Sequence, residues 1–210
     1  MKLYDCRTAP SARRERIFLA EKGIELPRVE VDLRGGEHLA SGFRAINPYC
    51  TVPVLELDDG TRLCSTAAIW RYFETTCPEP ALLGRSAREQ SRIADMQWHI
   101  ENEGFAAVAE YFRNTVPGMT DRALTGPLAY AQIPDLAERG RRRTEAFLDS
   151  LETMAVAAAP YLCGEHFSVA DIDALIVVDF AARLHLQRPA EAAATRRWYT
   201  EVAARPSASA

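Results

Sequence analysis

Few features restrict a chain as tightly as Pro53, which stands at the mouth of the apolar, β-branched run Val52-Pro53-Val54-Leu55. Proline cannot donate a ladder hydrogen bond, so a strand that begins this way is an edge or a special case. One solution is a cis Val52–Pro53 bond, which turns the backbone so that Val52 offers its own N–H and C=O to something extended lying alongside. The dipeptide alone leaves an ordinary trans edge-strand proline as the commoner arrangement. The residues that follow change the balance. Asp58-Asp59-Gly60-Thr61 reads as a hairpin turn and Arg62-Leu63 as a second short strand. Cys64-Ser65-Thr66-Ala67-Ala68-Ile69-Trp70 then starts a helix with a hydroxyl residue in its first turn. Free N–H groups and the positive dipole end there suit a carboxylate. A backbone edge at Val52 and an anion site at Ser65, one hairpin apart, suit a short acidic peptide. The plainer alternative is that Ser65 only caps its helix.

The rest of the chain falls into two parts around this stretch. Met1–Asp5 is a strand, and Thr8-Ala9-Pro10-Ser11 opens a helix stopped by Lys22-Gly23, with proline in its first turn and glycine past its end. Leu26–Val31 alternates as a second strand with Val29 and Val31 on one face. Gly35-Gly36-Glu37-His38 leads into a short helix near Leu39–Ile46. The order is therefore β-α-β-α-β-β-α, an α/β layer domain over residues 1–78. Cys77-Pro78-Glu79-Pro80 reads as a linker. Residues 85–205 read as all-α. One long helix is expected over Ala87–Thr115, an amphipathic one over Glu138–Ala158, a buried one near Val169–Leu184 and a last one over Ala190–Ala204. Pro206 onward is expected to fray. Ser168 with Asp171 three positions on is a capping-box variant, and Phe167 with Ile172 a hydrophobic staple. Asp179, inside the buried helix, requires a partner.

Composition excludes several classes of function. The chain has 210 residues, 48% hydrophobic and 26% charged, with a formal charge of −4. That gives ample core and no basic footprint for nucleic acid. No apolar run approaches the length of a membrane span. Cys6, Cys50, Cys64, Cys77 and Cys163 are odd in number and scattered, which fits free thiols in a reducing cytoplasm. His99 and Glu103 lie one turn apart without a third ligand, so no metal is expected. Trp98, Tyr111, Phe112 and Met119 are read equally as core or as the lining of an apolar pocket.

Five stretches resemble the cytosolic glutathione transferase family, in its theta/beta-like bacterial and fungal branch. They are Thr8–Ile17 leading to Glu21-Lys22-Gly23-Ile24; Gly36-Glu37-His38; Ile46-Asn47-Pro48 through Val52-Pro53-Val54-Leu55; Cys64-Ser65-Thr66-Ala67-Ala68-Ile69; and Ser168–Asp171 with its helix. The resemblance implies a thioredoxin-like first domain, an all-helical second domain, a cytoplasmic homodimer and glutathione as co-substrate. It implies conjugation of the glutathione thiolate to a small apolar electrophile, with the first domain holding the tripeptide and the second supplying a greasy cleft. Carried over, Val52 before Pro53 pairs with the cysteinyl part and Ser65 holds the γ-glutamyl carboxylate. His38 reaches the glycyl end, and Thr51 lines the same edge.

Two positions depart from the family pattern. Cys64 stands where an acidic or amide residue usually contacts the γ-glutamyl amine. Ala9 stands where several classes carry an activating serine or cysteine, while Ser11 falls where the beta class has its cysteine. A free thiol titrates at about 8.5, so the anion must be stabilised by Ser11, by Thr8, or by bare N–H groups of the first helix. The departures motivate a second expectation, a glutathione-binding stress or scaffold protein that conjugates little. A third is a thiol-exchange enzyme using Cys6 or Cys50.

Overall fold

The computed structural model describes residues 1–157, 160–187 and 191–210. The chain divides into two compact units. One comprises Met1–Pro80, Thr125–Ala129 and Ala210, and the other Ala81–Leu124 and Tyr130–Ser209.

The first unit runs β1 (Lys2–Asp5), α1 (Pro10–Glu21), β2 (Arg28–Glu30), a 3-10 turn (Glu37–Leu39), α2 (Ser41–Ile46), β3 (Val54–Glu56), β4 (Arg62–Leu63) and α3 (Thr66–Thr76). The sheet order is β2-β1-β3-β4. β1 is parallel to β2 and antiparallel to β3, which is antiparallel to β4. A parallel pair needs a crossover, and α1 supplies it. The mixed sheet with this helix order is thioredoxin-like. Pro10 occupies the first turn of α1, and Gly23 takes the left-handed turn just beyond it at φ +65°. The second strand is shorter than Leu26–Val31 and lies at the sheet edge, which leaves Val29 38% exposed while Val31 is buried.

Strand alternation sorts the core of this unit into two faces. Tyr4, Cys6, Val52 and Val54 form one cluster with Ala12, Val31 and Phe43. Leu3 and Leu55 point to the other face, and Phe18 of α1 stacks on Trp70 of α3 with ring centroids 5.6 Å apart. Lys22 does more than end its helix. Its buried ammonium donates to the carbonyls of Cys77 (2.8 Å) and Pro80 (2.9 Å) and pairs with Glu74 (2.8 Å). These acceptors replace the water it loses on burial, and they tie the end of α1 to the chain leaving α3.

The second unit contains α4 (Ala87–His99), a π-helical turn (Ile100–Phe105), α5 (Ala106–Thr115), a 3-10 turn (Pro117–Met119), α6 (Pro134–Ala157), α7 (Val169–Arg183), α8 (Ala193–Ala203) and a 3-10 turn (Pro206–Ser209). The helix expected over Ala87–Thr115 is therefore interrupted by a wider turn. Gly104 sits within it against the Phe147 ring, where a Cβ would meet ring carbons at 2.9 Å. α6 begins at Pro134, before Glu138, so Arg139 and its basic neighbours lie past the first turn. They pair with Glu110, Glu138 and Glu145. The expected helix ends at Ala158 and Ala190 lie outside the described residues. The C-terminal stretch forms a turn with Ser207 and Ala208 buried, where fraying was expected. Asp179 finds its partner in the hydroxyl of Tyr199, which donates to it at 2.7 Å. Among the described residues no helix is long and apolar enough to cross a membrane.

Candidate functional site

Strand register decides what meets at one end of the first unit's sheet. Tyr4 pairs with Val54 across β1 and β3, and Leu55 with Leu63 across β3 and β4. One step beyond the second pair brings Cys64 level with Val54. Two further steps back along the chain from Val54 reach Val52, in the direction in which β4 runs into Ser65 and β1 into Cys6. Neighbouring strands lie about 4.8 Å apart. The main chain at Val52, the head of α3 and the turn entering α1 therefore gather at one end of the sheet. Packing agrees, because Ala9 and Cys64 both lie against the cluster that contains Val52 and Cys6.

Several main-chain groups at this end have no partner among the described residues. The Val52–Pro53 bond is cis. Among the described residues nothing hydrogen-bonds to the N–H or C=O of Val52. Ser65 is the N-cap of α3, with its hydroxyl accepting from Ala68 N–H at 3.3 Å. The N–H groups of Thr66 and Ala67 have no partner among the described residues. The head of α1 is similar. Its N-cap, Ala9, supplies no side-chain acceptor, and the N–H groups of Ser11 and Ala12 are open in the same sense. Two helix N-termini and one bare strand edge are the chemistry that suits an extended ligand carrying negative charge.

The other expected residues are distributed around this end. The Thr51 hydroxyl and carbonyl both accept from the buried Asn47 amide, at 3.0 and 2.8 Å. Thr51 thus braces the edge with its side chain already engaged. Asn47 also accepts from Tyr49 N–H at 3.0 Å, an Asx-type turn that shapes the approach to Val52. Ser11 is half-buried in the first turn of α1, and its hydroxyl accepts a long bond from Arg14 at 3.5 Å. His38 is buried on the 3-10 turn Glu37–Leu39. Burial pushes the Cys64 thiol up, with Arg62 pulling it back, so it stays neutral at pH 7 and offers no anionic partner to an amine.

Cys6 and Cys50 are 4% and 3% exposed, Cys6 at the strand end and Cys50 in a turn at φ +54°. In the second unit, Phe112 packs edge-on to Phe180 at 5.3 Å, a core contact, whereas Trp98 is 58% exposed. Sequence reading missed Asn47 as a shaping residue. The Asn47-Pro48 dipeptide, a turn signal, was its visible trace. It also missed Arg16, whose three acceptors come from residues nine to eleven positions earlier. No local pattern announces that.

Residues 8–76 match the family described as glutathione S-transferase, N-terminal domain, and residues 119–206 match glutathione S-transferase, C-terminal domain. The chain is 35% identical to "Glutathione S-transferase 2" of Saccharomyces cerevisiae, over 99% of its own length and 87% of that protein's. Among solved structures, Gtt2 from Saccharomyces cerevisiae superposes with a TM-score of 0.91 at 35% identity, covering 100% of this chain and 99% of that one. A glutathione S-transferase domain-containing protein from Marinobacter aquaeolei VT8 gives 0.91 at 36% identity, with 99% of each chain covered. A Gtt2-class enzyme of Vibrio parahaemolyticus gives 0.83 at 30%, covering 99% of this chain and 95% of that one.

Proposed function

The chain belongs to the glutathione S-transferase family, and from that premise we propose that it conjugates the glutathione thiolate to small hydrophobic electrophiles. The observation that carries the proposal is the unpaired main chain of Val52 beside the open head of α3. Val52 N–H and C=O pair with the cysteinyl residue of glutathione as an added strand would. The Ser65 hydroxyl with the Thr66 and Ala67 N–H groups holds the γ-glutamyl carboxylate. His38 serves the glycyl end, and Thr51, Pro53 and Cys64 complete the rim.

The sulfur then falls toward the head of α1. A free thiol titrates at about 8.5, and open N–H groups on a helix N-terminus favour the anion. Ser11 and Ala12 supply those groups, and the hydroxyl of Ser11 or Thr8 adds a donor. The thiol proton leaves to solvent, the thiolate attacks the electrophilic carbon, a C–S bond forms, and the leaving group departs with its electron pair. Presenting an ionised thiol beside its target accounts for most of the rate. A homodimer in the cytoplasm completes the proposal.

Calorimetric titration with glutathione tests it. Ser65→Ala is expected to raise Kd roughly tenfold, the cost of a hydrogen bond to a charged group. An unchanged Kd removes Ser65 from the site, and a wild-type protein that takes up no glutathione sinks the reading. A second reading, binding without turnover, is favoured by Ala9 and by the neutral Cys64 thiol, which leave two usual polar groups absent. Glutathione uptake with no conjugation of a panel of activated aryl halides would select it. Burial of Cys6 and Cys50 weighs against thiol exchange.

A further inference from the structure

The turn from Cys6 to Ala9 joins β1 to α1 and sets where the open N–H groups of α1 point. It has little regular structure of its own; its one internal main-chain bond runs from Ala9 N–H to Cys6 C=O at 2.9 Å. Two side chains hold it from opposite sides. From the interior, Arg16 is buried and spends its guanidinium on this turn. Nη1 donates to the Asp5 carboxylate at 2.7 Å and to the Cys6 carbonyl at 3.4 Å, and Nη2 donates to the Arg7 carbonyl at 3.0 Å. From the exterior, Glu30 at the end of β2 accepts from Arg7 N–H at 2.9 Å. Arg7 therefore has both its main-chain groups fixed by side chains, one from α1 and one from the edge strand.

We infer that Arg16 and Glu30 are positioning residues for the glutathione sulfur, holding the Cys6–Ala9 turn so that the head of α1 meets it. This rests on the function proposed above. Arg16 is suited to the task because its planar fork reaches several acceptors at once, and Asp5 neutralises its charge in the interior. A lysine in its place keeps the charge but presents a single point, so it can hold Asp5 while releasing the two carbonyls. The turn then relaxes, and the N–H groups of Ser11 and Ala12 draw away from the sulfur. Electrostatic stabilisation by fixed donors falls off steeply with such displacement. The contacts at Val52 and Ser65 stand on other segments and are retained.

The test is a pH titration of thiolate absorbance for glutathione bound to the wild-type protein, Arg16→Lys, Glu30→Ala and Glu30→Gln, with steady-state kinetics beside it. The wild-type midpoint lies below that of free glutathione. Arg16→Lys is expected to raise it by about one unit, leaving roughly tenfold less thiolate at mildly acidic pH. kcat there falls in proportion, while KM for glutathione stays within about twofold, the signature of an interaction that acts on the reacting atom. Glu30→Ala, a surface change, shifts the midpoint the same way by less. Glu30→Gln, whose amide oxygen still accepts from Arg7, restores the wild-type value. Should Arg16→Lys not fold, the Glu30 pair decides alone.

Unchanged midpoints in the folded variants overturn the inference, as does a rise in KM with no movement of the pH profile. A wild-type protein that binds glutathione but leaves its thiol at the free value overturns it as well. Failure of the underlying reading looks different, since then the wild-type protein takes up no glutathione at all.

Discussion

Ser65 and Ser168 hold the same place in two helices, each the residue from which the chain turns into a helix, yet their surroundings are opposite. Ser168 is buried, and Asp171 beneath it is fully enclosed. The Asp171 carboxylate accepts from Ser168 N–H (3.0 Å), the Ser168 hydroxyl (3.2 Å), Leu162 N–H (2.9 Å) and Trp198 Nε1–H (2.8 Å). Burial pushes that carboxyl up, and the donors pull it back. Ser65 is exposed, the residue three positions on is Ala68, and the Thr66 and Ala67 N–H groups have no partner among the described residues. A serine whose own N–H and hydroxyl are taken up by a buried carboxylate one turn on stabilises the fold. A helix head whose donors remain is a place for a ligand. Which of the two a serine builds depends on whether a carboxylate stands one turn on and whether the junction is covered.

The largest expected effect breaks the closed junction. Asp171→Ala strands four buried donors and is expected to cost about 3–5 kcal/mol, read as a lower denaturation midpoint in urea with glutathione absent. A loss below about 1 kcal/mol would mean the two junctions are not different in kind.

The open junction is sharpened by Thr66→Pro. Ser65 already has the extended backbone, φ −141° and ψ 148°, that a following proline requires, and proline suits the first helical position. The substitution removes one open N–H and no helical bond. Stability is expected to hold or rise by about 0.5 kcal/mol, while glutathione Kd rises about tenfold. Undiminished affinity would show that the head of α3 is not used.

Buried acids extend the same contrast to pH. Glu15 on α1 is enclosed like Asp171, but among the described residues neither of its oxygens has a hydrogen bond within 3.5 Å. Burial pushes its carboxyl well above the usual range. The Arg14 charge and the nearby Trp70 indole hold it down in part, and the Asp5 charge pushes it further up. An acid raised in the folded state favours folding fully below its unfolded value of 4.5. That contribution is lost as pH rises from there through the raised folded value. Glu15→Gln is therefore expected to flatten the decline in melting temperature from mildly acidic to alkaline pH, and an identical pH profile in the mutant would refute the assignment.

The smallest effect is expected at Glu138. It is exposed, and Arg141 and then Arg142 hold its carboxyl down to about 2. Exposed pairs of this kind contribute little to folding. Glu138→Ala is expected to leave the melting temperature unchanged, as a control for the two buried acids.

Much of this molecule was legible locally. Pro10 and Gly23 bound α1 because each acts through its own backbone, and Ser65 and Ser168 mark helix starts for the same reason. Hidden from such reading were the features built by distant groups. The helical period ran straight through Ile100–Phe105 and gave no sign of a π-turn packed on Phe147. Lys22 looked like the end of a helix, yet its acceptors lie beyond residue 70. Thr51 looked ready for a ligand until Asn47 was seen to occupy its hydroxyl.

By itself the sequence determined the order of elements, the proline at the mouth of β3 and the serine at the head of α3, because turns, caps and periodicity depend on neighbours within a few residues. Only the tertiary structure decided that Asp171 takes up the N–H and hydroxyl of Ser168, while among the described residues the N–H groups of Thr66, Ala67 and Val52 find no partner. A hydrogen bond is satisfied by whatever the fold brings within about 3 Å, and those partners come from anywhere in the chain.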